Sequence, residues 1–331
     1  MILTRIKITT SLLTALLLCY PLPVIAQSGQ SNETQAITQW FADIQMENGL
    51  VFSFEPDKPG RARISLYDQA LAVIVFSLLE NYSAAEKILD FFQNQIMDEL
   101  ESGPGGFFQF RNKNGRPLRS SARWLGDNAW LLIAAQNYRL ISGNQNAYQE
   151  LVGSLENWIK SLQQENGGLI SGTRPDGSAN TNMVIEGNID AFGAIPGYTD
   201  FHEGILDYFK KERWDHQRQI FIAWPAPPDP AYKYASDNLA WGYLAIKGFP
   251  AASLGQAEEL FGASRPAAGN QPSISGFCYD SSLNTIHPEA TGSMIIAYAL
   301  AGDKQKYIHY LRENSRLLMP GKETTAAAGL P

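Results

Sequence analysis

Five times along this chain an acidic residue opens an apolar run of helical character. Asp68 begins DQALAVIVFSLL, Asp127 begins DNAWLLIAAQNY, Asp190 begins DAFGAI, Asp237 begins DNLAWGYLAI and Glu289 begins EATGSMIIAYALAG. The intervals between these acids are 59, 63, 47 and 52 residues. Self-similarity at such a period marks an architecture in which one supersecondary unit is stacked many times. The runs are rich in Ala, Leu and Ile and apolar on most faces, so they predict helices buried all round.

Between these runs lie amphipathic segments. Residues 84–97 put Ile88, Leu89, Phe92 and Ile96 on one side, and residues 146–162 do the same with Tyr148, Leu151, Leu155 and Ile159. These predict outer helices, solvated on one face and packed on the other. Segments 102–110 (SGPGGFFQF) and 165–177 (ENGGLISGTRPDG) are Gly-rich and predict short hairpins or turns. An early helix is expected in 34–46 and a closing one in 303–318, with 322–331 a loose end. Inner–outer pairs of about 50 residues give roughly six pairs over the chain. That is the arithmetic of an all-α (α/α)6 toroid, a six-hairpin barrel with short Gly-rich connections, built as a single domain over residues 27–331.

Residues 1–26 are read as a secretory signal. Arg5 and Lys7 give a positive start, 11–20 (SLLTALLLCY) is the apolar stretch, and Val24-Ile25-Ala26 supplies a small-residue cleavage site. The product is expected to be secreted or periplasmic, without stable membrane insertion after cleavage. The charge of −7 argues against nucleic acid and anionic membrane surfaces as partners. Only Cys19 and Cys278 are present, and the first would leave with the signal, so no disulfide framework is expected.

Residues 123–138 (RWLGDNAWLLIAAQNY), followed by Ser142-Gly143-Asn144, resemble a stretch of the six-hairpin glycosidases, closest to bacterial α-1,6-mannanases and unsaturated glucuronyl hydrolases. Residues 185–192 (IEGNIDAF) and 289–300 (EATGSMIIAYAL) are similar to other inner helices of such toroids. The resemblance implies the toroid fold and action on a carbohydrate. One position departs from it. The mannanase-like enzymes carry two adjacent Asp residues before the Asn, whereas this chain has Gly126-Asp127.

Glycoside hydrolysis needs two carboxyl groups, one to protonate the leaving oxygen and one to activate water or attack the anomeric carbon. In a toroid the starts of the inner helices gather at one mouth, so the repeated acids are expected to converge there. Asp127, flanked by Trp124 and Trp130, and Glu186 are the expected chemical pair. Tyr67, Asp68, Trp124, Asn128, Asp190, Asp237, Trp241 and Glu289 are the expected sugar-contacting set, because carboxylates grip hydroxyls and aromatic faces stack on sugar rings. Glu186 and Asp190 are four apart and share a face if one helix holds both. Trp130 and Trp158 are read as core. The bland alternative for the acids is helix capping and interaction with the helix dipole.

The four His show no metal-ligand spacing, and no P-loop, GxGxxG or GxSxG motif is present. No metal or cofactor is expected. The leading reading is an exported carbohydrate-active hydrolase. A polysaccharide lyase on the same scaffold is a variant, with Tyr67, His202 and Arg61/Arg63 as its assets. The alternative from another class is a non-catalytic toroid that binds a glycan or a cell-envelope partner.

Overall fold

The computed structural model describes residues 32–54, 63–224, 230–266, 272–320 and 328–329. The signal-like segment 1–26, Arg61 and most of the 322–331 tail lie outside these residues. None of the described helices is long and apolar enough to cross a membrane.

The acid-led runs are helices: α2 (Leu66–Leu78), α4 (Leu125–Ser142), α6 (Ile185–Ala194), α8 (Ser236–Ala245) and α10 (Pro288–Ala301). Each is followed by an outer helix: α3 (Tyr82–Gln93), α5 (Gln149–Ser161), α7 (Asp200–Tyr208), α9 (Ala252–Phe261) and α11 (Lys304–Ser315). The first helix, α1 (Asn32–Ile44), packs on α2 through an edge-on Phe41–Phe76 contact. The described residues thus supply five inner–outer pairs plus α1, against the six pairs expected from the arithmetic.

The two helix types follow from their side chains. Most of α4 is buried, because it is apolar on nearly every face and neighbours surround it. On α3 only the stripe Ala84, Ala85, Ile88, Leu89 and Phe92 is buried, and on α5 the stripe Leu151, Val152, Leu155, Trp158 and Ile159. Side chains of Asn81 and Asp303 cap α3 and α11 by accepting from the Ala84 and Lys306 amides. Gly143 and Gly302, at φ of 74° and 75°, end α4 and α10 in the left-handed conformation.

Consecutive inner helices pack side by side, α2 on α4, α4 on α6, α6 on α8 and α8 on α10, and each outer helix packs on the inner helix before it. The Gly-rich connections form two-stranded antiparallel ribbons. Of these, β1 (Ile64–Ser65) pairs with β2 (Phe110–Arg111), and β3 (Arg123–Trp124) with β4 (Gly172–Thr173). β1 leads into α2 and β3 into α4, so each ribbon fixes the point where an inner helix begins. One expected boundary is corrected: the third inner helix starts at Ile185, so Glu186 is its first-turn acid and Asp190 lies a turn further on.

Candidate active site

A side-chain clamp holds four of the five described inner helices, α2, α4, α6 and α10. The Asn128 amide accepts from the Phe107 N–H at 2.8 Å and donates to the Phe107 and Trp124 carbonyls at 3.1 and 2.9 Å. Asn188 repeats this on Leu169 and Val184, at 2.7, 3.0 and 2.8 Å. Gln69 repeats it on Val51 and Ser65, at 2.8, 3.0 and 3.3 Å. Thr291 plays the part with a hydroxyl, accepting from the Phe277 N–H at 3.0 Å and donating to the His287 carbonyl at 2.9 Å. Each clamp ties the first turn of an inner helix to the segment packed over it.

The clamp corrects one expectation. Asn128 is 0 % exposed and both ends of its amide are spent on backbone, so it holds the fold and does not meet a sugar. It also sorts the acids. Asp68 and Asp127 stand immediately before their clamp residues, while Glu186 and Glu289 stand two before theirs.

The repeated acids are neither N-cap residues nor ion-pair partners among the described residues. The N-cap residues of α2, α4, α6, α8 and α10 are Ser65, Trp124, Val184, Ala235 and His287, and none makes a side-chain cap. The acids sit inside the first or second turn. Asp237 alone accepts from a neighbouring amide, that of Asn238 at 2.6 Å. The ion pairs among the described residues are Arg111–Glu99, Lys160–Glu156, Lys211–Asp207, Lys306–Glu258 and Arg316–Glu313, so none involves the repeated acids. The capping alternative therefore explains little of them.

They act on one another instead. Burial lifts the carboxyls of Asp127, Asp190 and Asp237 well above the usual range, and the charge of Glu186 lifts each further. Burial and the charge of Glu289 push Glu186 up to about 7. Asp68 is raised by burial, against hydrogen bonds from Ser53 and Ser65. Glu186 thus lies at the centre of the group. Asp127 carries a buried Oδ2 with no hydrogen-bond partner, while Gln109 supports the carboxyl by a side-chain hydrogen bond.

Aromatic rings floor this cluster. Trp130 meets Tyr67 edge-on at 5.5 Å and Trp241 at 5.2 Å, tying α2, α4 and α8 together across the ring. Tyr67 donates to Glu289 Oε1 at 2.5 Å, joining α2 to α10 at the same mouth. Trp124, half-buried at the start of α4, borders it from the side. Of the expected set, Tyr67, Asp68, Trp124, Asp127, Glu186, Asp190, Asp237, Trp241 and Glu289 are brought to this mouth.

Three further groups belong to it. Trp130 is buried as expected, yet its side chain hydrogen-bonds Asp190, so it serves the site from within the core. Tyr279 faces Asp237, Glu186 and Glu289. His287, two residues before Glu289, carries a buried Nδ1 without a partner and lies 6.2 Å from Tyr279. In the sequence Tyr279 reads with Tyr67, Trp124 and Trp241 as a ring suited to stacking on a sugar, and His287-x-Glu289 as a pair suited to acid–base chemistry, whereas nothing marks Gln109. Among the described residues no three or more His, Cys, Asp or Glu are placed to hold a metal ion.

Of the described lyase assets, Tyr67 stands at this mouth and His202 does not. His202 is buried at the start of α7, its Nε2 against the Ile195 carbonyl and its Nδ1 against Thr199, and burial lowers its pKa. The Tyr67 and Tyr279 phenols are pushed far up, Tyr67 chiefly by burial and Tyr279 chiefly by the charge of Asp237. That keeps both protonated, the wrong state for a base.

No protein-family model matches the chain, and no curated protein matches it by sequence. Solved structures do. An α-amylase from Clostridium perfringens superposes with a TM-score of 0.65, covering 92% of this chain and 93% of that one at 10% identity. Cellobiose 2-epimerase from Bacillus thermoamylovorans gives 0.57, with 88% and 87% covered at 12% identity. A glycosidase gives 0.55, with 84% and 80% covered at 11% identity. The chain folds as an (α/α)6 toroid. This toroid places its carboxylates where the inner helices begin, beside the ribbons that cross its face.

Proposed function

We propose that this toroid is an exported carbohydrate-active enzyme that hydrolyses glycosidic bonds, with residues 1–26 removed on export. The observation that carries the reading is Asp127, buried with an unpartnered Oδ2 beside Glu186 and committed to no cap or ion pair. A structural acid would have its oxygens satisfied, since an unpaired buried carboxyl costs stability. Asp127, the more deeply buried, is the proton donor to the leaving oxygen. Glu186, poised at about 7, is the base or nucleophile. The Trp124 and Trp241 rings offer faces for sugars. Asp68, Asp237 and Glu289 supply acceptors for hydroxyls.

A scaffold using these acids only as caps or ion-pair partners is not supported by their contacts, while a non-catalytic glycan binder would keep them free and is told apart from the enzyme by turnover. The sugar isomerase reading draws on the epimerase among the similar structures and on His287 at the mouth. It would take a proton from one sugar carbon and return it to that carbon or its neighbour, breaking and re-forming a C–H bond and leaving the glycosidic bond intact. The test is a glycan panel assayed for new reducing ends, with Asp127→Asn and Glu186→Gln beside the parent chain. Release by the parent, lost by at least a hundredfold in both variants, is the expected result. Rearranged sugars without new ends, detected by NMR, would move the case to isomerisation. Binding of glycans without turnover, unchanged in both variants, would retire the enzyme reading.

A further inference from the structure

Gly126 sits in the first turn of α4, buried, and its backbone is ordinary helix. A glycine there costs helix stability relative to alanine and has no conformational reason to be present. The reason is steric. A Cβ at position 126 would stand 3.0 Å from Asp190 Oδ2, with the Trp124 ring next at 3.6 Å. The carboxyl of Asp190 crosses from α6 and fills the space that a side chain at 126 would take. Trp130, on α4 itself, hydrogen-bonds that carboxyl in place. Asp190 is 5 % exposed and Asp127, the next residue after Gly126, has its free Oδ2 buried nearby.

We propose that Gly126 and Asp190 form one device. The missing side chain on α4 admits the α6 carboxyl to the first turn of α4, where Asp190 acts as a positioning residue for the Asp127–Glu186 pair. This rests on the hydrolase reading for its catalytic consequence, and on packing alone for its structural one. Asp190 reaches the chemistry through its neighbours: Glu186 one turn earlier on the same helix, and Asp127 and Asp237 on the flanking helices. Tyr67 also faces it.

A double-mutant cycle tests both consequences. In the parent chain Gly126→Ala drives a methyl into the Asp190 carboxyl, and Tm falls. In an Asp190→Ala background the same substitution fills free space and adds helix propensity, and Tm rises. This reversal of sign needs no substrate, so it is readable even if no glycan is cleaved. On a cleaved glycan, Gly126→Ala and Asp190→Ala each lower kcat at least tenfold with KM within about twofold. The double variant loses no more than the worse single. Gly126→Asp placed in the Asp190→Ala background returns a carboxyl to the same space, and recovers part of kcat with its pH profile. Gly126→Asn in that background fills the space without an acid and recovers neither. Equal Tm changes in the two backgrounds would overturn the steric device. Additive kcat losses, or rescue by Asn as good as by Asp, would overturn the positioning role while leaving the hydrolase reading intact.

Discussion

Arg111 is the largest fully buried side chain among the described residues, and its charge is answered by one partner. Its guanidinium holds Glu99 through both carboxylate oxygens, at 2.7 and 2.5 Å, and donates to the Gly115 carbonyl at 3.1 Å. The pair pins the β2 ribbon to the turn that follows α3. Removing one member of such a pair leaves a bare buried charge, which costs about 3–5 kcal/mol. Glu99→Gln is therefore expected to lower unfolding free energy in urea by that order, with little change in activity, since neither residue reaches the mouth. Glu289 is a residue-scale case of the opposite kind. Its negative charge helps hold Glu186 at about 7. Neutralising it lowers the Glu186 pKa, so Glu289→Gln is expected to move the acid limb of the kcat/KM profile to lower pH. A limb that stays in place would remove Glu186 as the group that must ionise.

At the scale of the element, the clamp residues determine which side chains an inner helix offers to the mouth. Losing Asn128 orphans the Phe107 N–H and C=O in the core. Each orphaned buried group costs about 1–3 kcal/mol. Asn128→Ala should therefore destabilise the fold by a few kcal/mol. Because the loop over α4 carries Gln109, which supports Asp127, activity should fall as well. Asn128→Asp keeps the acceptor for the Phe107 N–H but loses the donors, and is expected to recover only part of the stability. The sequence placed Asn128 correctly on a helix beginning beside an acid. It did not tell which of two adjacent polar residues faces the cavity. On a helix, neighbours in sequence are about 100° apart, and only the packing partners decide which direction is solvent.

Across the whole molecule, the gathered carboxyls oppose folding at neutral pH. Asp127, Asp190 and Asp237 are raised well above 3.8, and Glu186 is raised from 4.5 to about 7. A carboxyl with a raised folded pKa binds its proton more tightly in the folded chain. The folded state then holds more protons than the unfolded one between the two pKa values, so stability falls as pH rises through that window. For Glu186 the window runs from 4.5 to about 7. Asp237→Asn and Glu186→Gln are expected to raise Tm at pH 8 and to leave it nearly unchanged at pH 4. A site that stabilised the fold would show the reverse. Excess stability gained by neutralising such groups is a common signature of functional sites.

The sequence by itself determined the plan of alternating buried and amphipathic helices, because apolar periodicity is a local property that burial then obeys. It also determined that an acid would stand near the start of each inner helix. The tertiary structure decided how those acids divide their labour. Asn128 was turned inward to clamp a loop. Trp130 was packed in the core yet bonded to Asp190. The third inner helix was begun at Ile185, making Glu186 its first-turn acid. Asp190 was brought from a neighbouring helix into the space over Gly126. The first set of features depends on spacing within one helix, which the chain carries in its order. The second depends on distances between helices some 60 residues apart, which exist only once those helices have packed.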